Sequence, residues 1–268
     1  MIKIKTEEEI VAMRRAGRVT ADVLQVVCAA VIAGISTGEL DKMVGEELRL
    51  RGARSACLGY GGSKCPFPAN ACISVNDEVV HGIPSDGRTV CDGDIVSIDL
   101  VAIVDGFMGD STITVAVGEV DDEVAKLLKV TEEALHAGIA AARSGNRIGD
   151  ISAAIEKKAV DAGLGVVREL VGHGIGREMH EEPPIPNWGP EKSGPLLVPG
   201  MTLAIEPMFM LGREELIFCD DGWTVLTADG RPAAHFEHTI LVTKNDPEVL
   251  TAPEKCFRRQ VTCVKDCG

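Results

Sequence analysis

The feature that most constrains the fold is a pattern that occurs twice along the 268-residue chain. Each copy has a His-Gly-Ile triplet, a later glycine, and an acid six residues after that glycine, at the end of a mostly apolar segment. The landmarks are His81, Gly93 and Asp99 in the first copy, and His173, Gly200 and Glu206 in the second. Helical patterns precede both copies, so the sequence predicts two duplicated α+β halves that face each other across a pseudo-two-fold axis. We expect one domain over residues 1–250, with halves of about 1–120 and 121–250 and a functional site at their junction.

Local patterns place the helices and one hairpin. Thr6 and Glu9 have the spacing of a capping box, and apolar residues then recur at helical spacing as far as Val31. Further helical patterns cover residues 41–50, 123–142 and 149–163, while the glycines and prolines of residues 59–70 predict a loop. Asp105-Gly106 lies between two β-rich runs, which is typical of a two-residue hairpin turn.

Four carboxylates lie among apolar residues. With Asp105-Gly106 as the turn, residue 99 pairs with residue 112 and residue 101 with residue 110, so Asp99 and Asp110 share one face as diagonal neighbours. Glu206 lies within MTLAIEPMFML and Glu237 within AAHFEHTILVT, and neither these segments nor the hairpin strands contain Lys or Arg. Buried carboxylates without a cationic partner take up protons or destabilise the fold. The sequence therefore predicts that metal ions neutralise them.

The charge count and the donor types define the predicted metal site. Four carboxylates carry a charge of −4, which two divalent ions offset in full. Oxygen donors with one imidazole and no thiolate suit Co, Fe, Mn or Zn as divalent ions, whereas a structural zinc site would use Cys and His. Two such ions, about 3.5–4 Å apart, characteristically activate water for hydrolysis. We therefore expect a dinuclear metallohydrolase.

Three histidines lie beside glycine or proline residues and close to the acids: His81, His173 and His180. We expect one of them to be a metal ligand and the other two to hydrogen-bond the substrate and support charge in a tetrahedral intermediate. The sequence HEEPP that begins at His180 is not the HExxH zinc signature, because no second histidine follows and the prolines end a helix.

Composition excludes several other classes of protein. A net charge of −14 argues against direct nucleic-acid binding and against an anionic membrane. The charged N-terminus carries no secretory signal, and the longest apolar run, residues 23–35, is shorter than a membrane span. We therefore expect a cytoplasmic protein whose nine cysteines, which lack the spacing of a disulfide scaffold, are free thiols.

From about Ile10 to Val242 the chain resembles the type I methionine aminopeptidases. The most specific stretches are GHGIGREMHEEP, VSIDL followed by GDSTITV, LAIEPM and FEHTILVT. The resemblance implies the pita-bread fold, an α+β domain of two pseudo-symmetric halves with a curved antiparallel sheet backed by helices. It also implies removal of the N-terminal initiator methionine from nascent proteins with a small second residue, with water between two divalent ions as the nucleophile.

The resemblance also implies roles for individual residues. The metal ligands would be Asp99, Asp110, His173, Glu206 and Glu237. Asp110 and Glu237 would bridge the two ions, and Glu206 would also be the general base. His81 and His180 would contact the substrate and stabilise the tetrahedral intermediate. The methionine side-chain pocket would be formed by Cys57, Tyr60, Phe67, Cys72, Met179 and Trp223, and a flexible apolar pocket suits a thioether.

Two segments depart from the family pattern. The four residues Ser63–Pro66 lengthen the loop between Tyr60 and Phe67, at the rim of the implied pocket. Residues 251–268 match nothing in the family, and we expect them to form a poorly ordered tail.

The resemblance implies nascent polypeptide N-termini as partners, leaves a transient contact with the ribosome open, and predicts a monomer. Two other functions stay open: an X-Pro peptidase of the aminopeptidase P or prolidase kind, and an inactive pita-bread protein that only binds. The former usually carries an additional N-terminal domain, which we do not expect here because the first helix begins near residue 7. The latter typically lacks metal ligands, whereas all five are present in this sequence.

Overall fold

The computed structural model describes residues 1–253. Most of the predicted tail, residues 254–268 with Cys256, Cys263 and Cys267, therefore lies outside the described residues. Thr251, which the sequence assigns to that tail, is buried, and its hydroxyl oxygen accepts a 3.1 Å hydrogen bond from the Thr239 backbone N–H. Thr251 thus packs with the domain.

The four predicted helices are present as α1 Glu7–Ala30, α2 Thr37–Leu50, α3 Asp122–Ala141 and α4 Ile148–Ala162. The Thr6–Glu9 capping box begins α1 as predicted. Helix α2 begins four residues before the predicted residue 41, because Ser36 and Glu39 form a second capping box that the sequence reading missed. Among the described residues, no helix combines the length and apolarity needed to cross a membrane.

The strands are short apart from one long hairpin, and every strand pair is antiparallel. They are β1 Arg54–Ser55, β2 Cys72–Val75, β3 Glu78–Val80, β4 Ile95–Val104, β5 Phe107–Ala116, β6 Gly165–Val166, β7 Gly172–Gly174, β8 Glu181–Ile185, β9 Thr202–Ile205, β10 Met208–Met210, β11 Leu216–Phe218, β12 Val225–Thr227, β13 Ala233–His235, β14 His238–Leu241 and β15 Glu248–Val249. They form four sheets, in the orders β1-β4-β2 with β5 beside β4, β13-β10-β6, β11-β12-β3 and β15-β14-β9-β7-β8. The antiparallel surface predicted as one curved sheet is thus divided into four hydrogen-bonded units.

The register predicted for the hairpin is confirmed. Asp105-Gly106 is the turn between β4 and β5, Asp99 lies opposite Thr112, and Val101 lies opposite Asp110. Because side chains alternate between the faces of a strand, Asp99 and Asp110 lie on one face. The opposite face of β4 carries Ile98 and Leu100, which are fully buried.

A pair of helices covers the rear of the sheet in each half. In the first half, α1 and α2 pack against the hairpin through a cluster that includes Val23, Leu24, Leu40, Val44, Ile98 and Leu100. In the second half, α3 and α4 pack against β9 and β14 through a cluster that includes Leu135, Ile151, Ile155, Leu203 and Ile240. Burial of each such side chain contributes roughly 1.5–3 kcal/mol. These clusters fix the rear of each sheet and leave the other face for the acids.

Strand β5 joins the two halves. The backbone N–H of Glu237 donates to Thr112 O at 2.9 Å, and the hydroxyl of Thr114 donates to His235 O at 2.6 Å. The Thr239 hydroxyl oxygen accepts from the Asp110 N–H at 3.0 Å. The acids of the first half are therefore held directly against those of the second.

Candidate metal centre

The four predicted acids meet at the junction between the halves. Asp99 and Asp110 come from β4 and β5, as predicted. Glu206 and Glu237 were expected within strands, but Glu206 follows the last residue of β9 and Glu237 precedes the first residue of β14. Pairing between β9 and β14 ends at this point, because Pro207 has no N–H to donate to a ladder. The interruption turns both glutamates toward the hairpin.

His173 completes the cluster. One ligand atom from each of Asp110, His173 and Glu237 lies within 4.8 Å of the others. The Nε2 atom of His173 is also 3.5 Å from Glu206 Oε1 and 3.7 Å from Asp110 Oδ2. Asp99 lines the same cavity and interacts with Asp110 and Thr112. The structure thus brings all five predicted ligands to one place.

Burial and mutual repulsion oppose ionisation of the acids. Burial is the main cause that raises the pKa of Asp110, Glu206 and Glu237 well above the usual range, and the charges of neighbouring acids raise each further. Burial also raises the pKa of Asp99 to about 6. Four such groups in one cavity are stable as carboxylates only when positive charge is supplied.

Two buried oxygens support a metal as the source of that charge. Asp110 Oδ1 and Glu237 Oε1 are buried and have no hydrogen-bond partner among the described residues. Unpartnered carboxylate oxygens beside a neutral imidazole form the donor set of a divalent ion. The residues therefore fit a metal site, as the sequence predicted.

The local sequence around His173 explains its position. His173 lies on β7, in the five-stranded sheet between β8 and β9, so the glycine-rich segment is a strand and not only a turn. A Cβ on Gly174 would lie 2.2 Å from Glu182 O, and in the other copy of the repeat a Cβ on Gly82 would lie 2.6 Å from Ile73 O. The glycine after each repeat histidine thus allows two backbones to meet where a side chain has no space.

His173 is in the form that a metal ligand needs. Its Nδ1–H donates to Gly174 O at 2.9 Å, which leaves the lone pair of Nε2 facing the acids. Burial lowers the pKa of His173 to about 4, so the imidazole is neutral at physiological pH.

His81 and His180 line the same cavity as the acids. Burial lowers the pKa of His81 to about 4 and also lowers that of His180. The ring of His180 packs 4.3 Å from that of His173, and its Nδ1 is 2.6 Å from the Tyr60 hydroxyl. The backbone of His81 is left-handed, with φ 58°. Such a backbone conformation in a residue other than glycine is common at functional sites. Both rings can act as neutral hydrogen-bond donors.

The cavity above the acids has a volume of about 160 Å³, and all six predicted pocket residues line it: Cys57, Tyr60, Phe67, Cys72, Met179 and Trp223. Phe67 and Trp223 pack edge to face with ring centroids 5.3 Å apart. A cavity of this size with apolar walls suits one side chain.

The inserted Ser63–Pro66 segment lies outside the cavity lining. The backbone N–H of Phe67 donates to Tyr60 O at 2.8 Å, and the N–H of Gly59 donates to Phe67 O at 2.8 Å. These bonds close the base of the loop, and the inserted residues are exposed beyond it. Tyr60 and Phe67 both line the cavity, on either side of the inserted segment.

The sequence did not predict the residues that line a second side of the cavity. Val80, Leu170 and Met208 line it and belong to an apolar cluster separate from that of Cys57 and Phe67. His235 also lines this cavity and was not predicted. The sequence feature that could have identified His235 is its place as one polar residue in the apolar run AAHF, two positions before Glu237.

Comparisons with known proteins match nearly the whole described chain. The family model described as metallopeptidase family M24 matches residues 11–244. The methionine aminopeptidase of Clostridium acetobutylicum is 45% identical over 95% of this chain and 100% of its own. The crystal structure of methionine aminopeptidase from Thermotoga maritima superimposes with a TM-score of 0.91 at 43% identity, over 94% of this chain and 99% of its own.

Solved structures of prolidases share the fold. The prolidase from Pyrococcus furiosus superimposes with a TM-score of 0.74 at 22% identity, over 94% of this chain but only 66% of its own. This likeness shows a shared fold with X-Pro peptidases and carries no further functional argument.

Proposed function

This chain belongs to the methionine aminopeptidases of metallopeptidase family M24, and on that premise we propose that its buried acids and His173 hold two divalent ions that serve hydrolysis of the first peptide bond of nascent chains. The observation that carries the proposal is the group of five side chains from both halves, with two buried carboxylate oxygens that lack partners.

The proposed ligands are Asp99, Asp110, His173, Glu206 and Glu237, which would together hold the ions. When bound, two divalent ions supply the positive charge that keeps the acids ionised, and they polarise water and the substrate carbonyl. The donor set suits Co, Fe, Mn or Zn.

Glu206 is the proposed general base. Its carboxylate, kept ionised by the bound ions, would take the proton of the attacking water and return it to the leaving amine. His81 and His180 are neutral, and we assign them hydrogen bonds to the substrate amide and carbonyl that strengthen as charge develops in the tetrahedral intermediate.

The proposed substrate pocket takes the methionine side chain between Cys57, Cys72 and Met179 beneath the rings of Tyr60, Phe67 and Trp223. The second residue then faces the opposite wall, formed by Val80, Leu170 and Met208. These side chains are buried or half-buried, and we propose that this packed wall limits the second residue to a small one.

The test is release of methionine from Met-Ala-X and Met-Leu-X peptides by protein loaded in turn with each candidate ion, with the bound metal counted per chain. We expect two ions per chain and cleavage of Met-Ala-X about 100-fold or more faster than Met-Leu-X. X-Pro-Y peptides are the control, because their turnover would instead favour an X-Pro peptidase. Absence of turnover with every ion would favour a binding protein.

We further propose that residues 1–250 form one catalytic domain that acts as a monomer on nascent polypeptide N-termini in the cytoplasm. The relatives that match over nearly their full length are bacterial proteins, which supports this setting. Sedimentation of the purified chain tests the monomer, and co-sedimentation with ribosomes tests a transient contact there.

A further inference from the structure

His235 is a buried histidine beside the proposed base for which the proposed mechanism has no role. It is 3% exposed and lines the cavity, and its Nε2 is buried without a hydrogen-bond partner among the described residues. Leaving such a polar group unpaired destabilises the fold. A buried histidine nitrogen without a partner at this place calls for a functional explanation.

The backbone of His235 is rigidly held. The Thr114 hydroxyl donates to His235 O at 2.6 Å and accepts from the His235 N–H at 3.0 Å. His235 also lies opposite Met208, where pairing between β10 and β13 resumes after the interruption that contains Glu206. Strand pairing on both sides of that interruption therefore fixes the position of His235 relative to Glu206.

The ring of His235 faces the glutamate. Its Nε2 is 3.7 Å from Glu206 Oε2, while the other oxygen, Oε1, is 3.5 Å from His173 Nε2. The two carboxylate oxygens thus face two different histidines. Oε1 lies on the side of the proposed ions, and Oε2 lies on the side of His235.

Carboxylates that bind metals generally need a second partner to fix their orientation. In this geometry neither histidine donates a hydrogen bond to the Glu206 carboxylate, because His173 faces it with the lone pair of Nε2 and His235 Nε2 is 3.7 Å away. The 3.7 Å separation exceeds a hydrogen bond by only about 0.5–0.8 Å. A small rotation of either side chain closes it, and hydrogen bonds of catalytic groups are often longer before substrate is bound.

We propose that His235 is a positioning residue for Glu206: its Nε2–H donates to Glu206 Oε2 and holds the carboxylate in the orientation from which it takes the proton of the attacking water. The inference rests on the proposed role of Glu206 as general base. A neutral imidazole carries one N–H, and a carboxylate facing Nε2 favours the tautomer with the proton on that nitrogen.

The test compares His235→Ala, which removes the donor, with His235→Gln, whose side-chain amide offers an N–H of similar reach. His136→Ala, an exposed histidine on α3, is the matched control. With Met-Ala-X as substrate, we expect kcat of His235→Ala to fall about 10–100-fold with KM within about threefold. We expect His235→Gln to recover to within about threefold of the parent and His136→Ala to be unchanged.

A second readout does not depend on turnover. Protein loaded with Co²⁺ reports the arrangement of its ligands through its visible absorption, and equilibrium dialysis counts bound ions. We expect two ions per chain in all variants, with the absorption of His235→Gln matching that of the parent and that of His235→Ala shifted. Thermal unfolding of each variant shows that the fold is intact.

Several results would overturn the inference. Unchanged kcat in His235→Ala, or equal loss in His235→Gln and His235→Ala, would exclude a donated hydrogen bond. Loss of an ion in His235→Ala would make His235 a ligand, and a raised KM with unchanged kcat would make it a substrate contact. Failure of the parent protein to release methionine would instead reject the proposed function, and the Co²⁺ spectra would still test the position of Glu206.

Discussion

Replacement of Thr112 by valine tests whether the hydrogen bond from its hydroxyl keeps the acids ionised and therefore able to bind metal. The Thr112 hydroxyl donates to Glu237 Oε2 at 3.0 Å, and it lowers the pKa of both Glu237 and Asp99. Thr112→Val keeps the shape of the side chain and removes this donor. A hydrogen bond to a charged group is worth about 1.5–3 kcal/mol, which corresponds to about a 10–100-fold change in metal affinity.

The sign of the pH dependence follows from the same bond. Hydrogen bonding to the ionised form lowers a carboxyl pKa, so its loss raises that pKa, and protons then compete with metal up to a higher pH. We therefore expect the affinity of Thr112→Val for divalent ions to be weakened more at about pH 6 than at about pH 8. Competition with a metal-sensitive dye, measured at both pH values, gives the two affinities.

Thr131→Val is the matched control, because the buried Thr131 hydroxyl donates to Leu127 O within α3, away from the acids. We expect this variant to lose stability but to keep the metal affinity of the parent. Equal metal affinity of Thr112→Val and the parent at about pH 6 would refute the reasoning that this hydroxyl keeps the acids ionised.

Three further predictions follow from the same geometry. Asp110→Asn should abolish methionine release and reduce the metal bound per chain, with the exposed Asp105→Asn as control. Chelation should lower the melting temperature more at about pH 8 than at about pH 6: the raised carboxyl pKa values, about 6 for Asp99, make the metal-free fold bind more protons than the unfolded chain, so it loses stability as pH rises. Equal shifts at both pH values would contradict this. Gly174→Ala should lower the free energy of unfolding in urea by about 1–3 kcal/mol, because its Cβ meets Glu182 O. Gly87→Ala, where a Cβ meets the Ser85 hydroxyl at an ordinary 3.5 Å, should be nearly neutral.

The hairpin and the helices could be predicted because local rules decide them. The Asp105-Gly106 turn and the two-residue period of a strand fix which side chains share a face, and β4 and β5 follow both rules. The start of α2 was missed although the Ser36–Glu39 capping box is visible in the sequence. The division into four sheets could not be predicted from the sequence, because it depends on strands that are far apart along the chain, such as those that pair Gly165 with Met210.

In the site, too, features that depend on local sequence could be predicted, and features that depend on the pairing of distant strands could not. The four acids could be identified because a carboxylate in an apolar segment is costly wherever the segment folds. The position of His235 could not be predicted in this way, since a single histidine in an apolar run is also compatible with core packing. Its distance from Glu206 is set by the pairing of Met208 with His235, two segments that the sequence alone does not place together.

The duplicated architecture explains why the acids and the fold depend on each other. Each half contributes two of the four carboxylates, so closing the junction brings two pairs of negative charges together. The hydrogen bonds that close it are the ones that position the acids: Thr112 binds the backbone and side chain of Glu237, and Thr239 binds the backbone of Asp110. Repulsion among the acids therefore acts directly on the contacts that join the halves. A bound cation relieves that repulsion, so metal affinity and the stability of the junction are linked quantities in this fold.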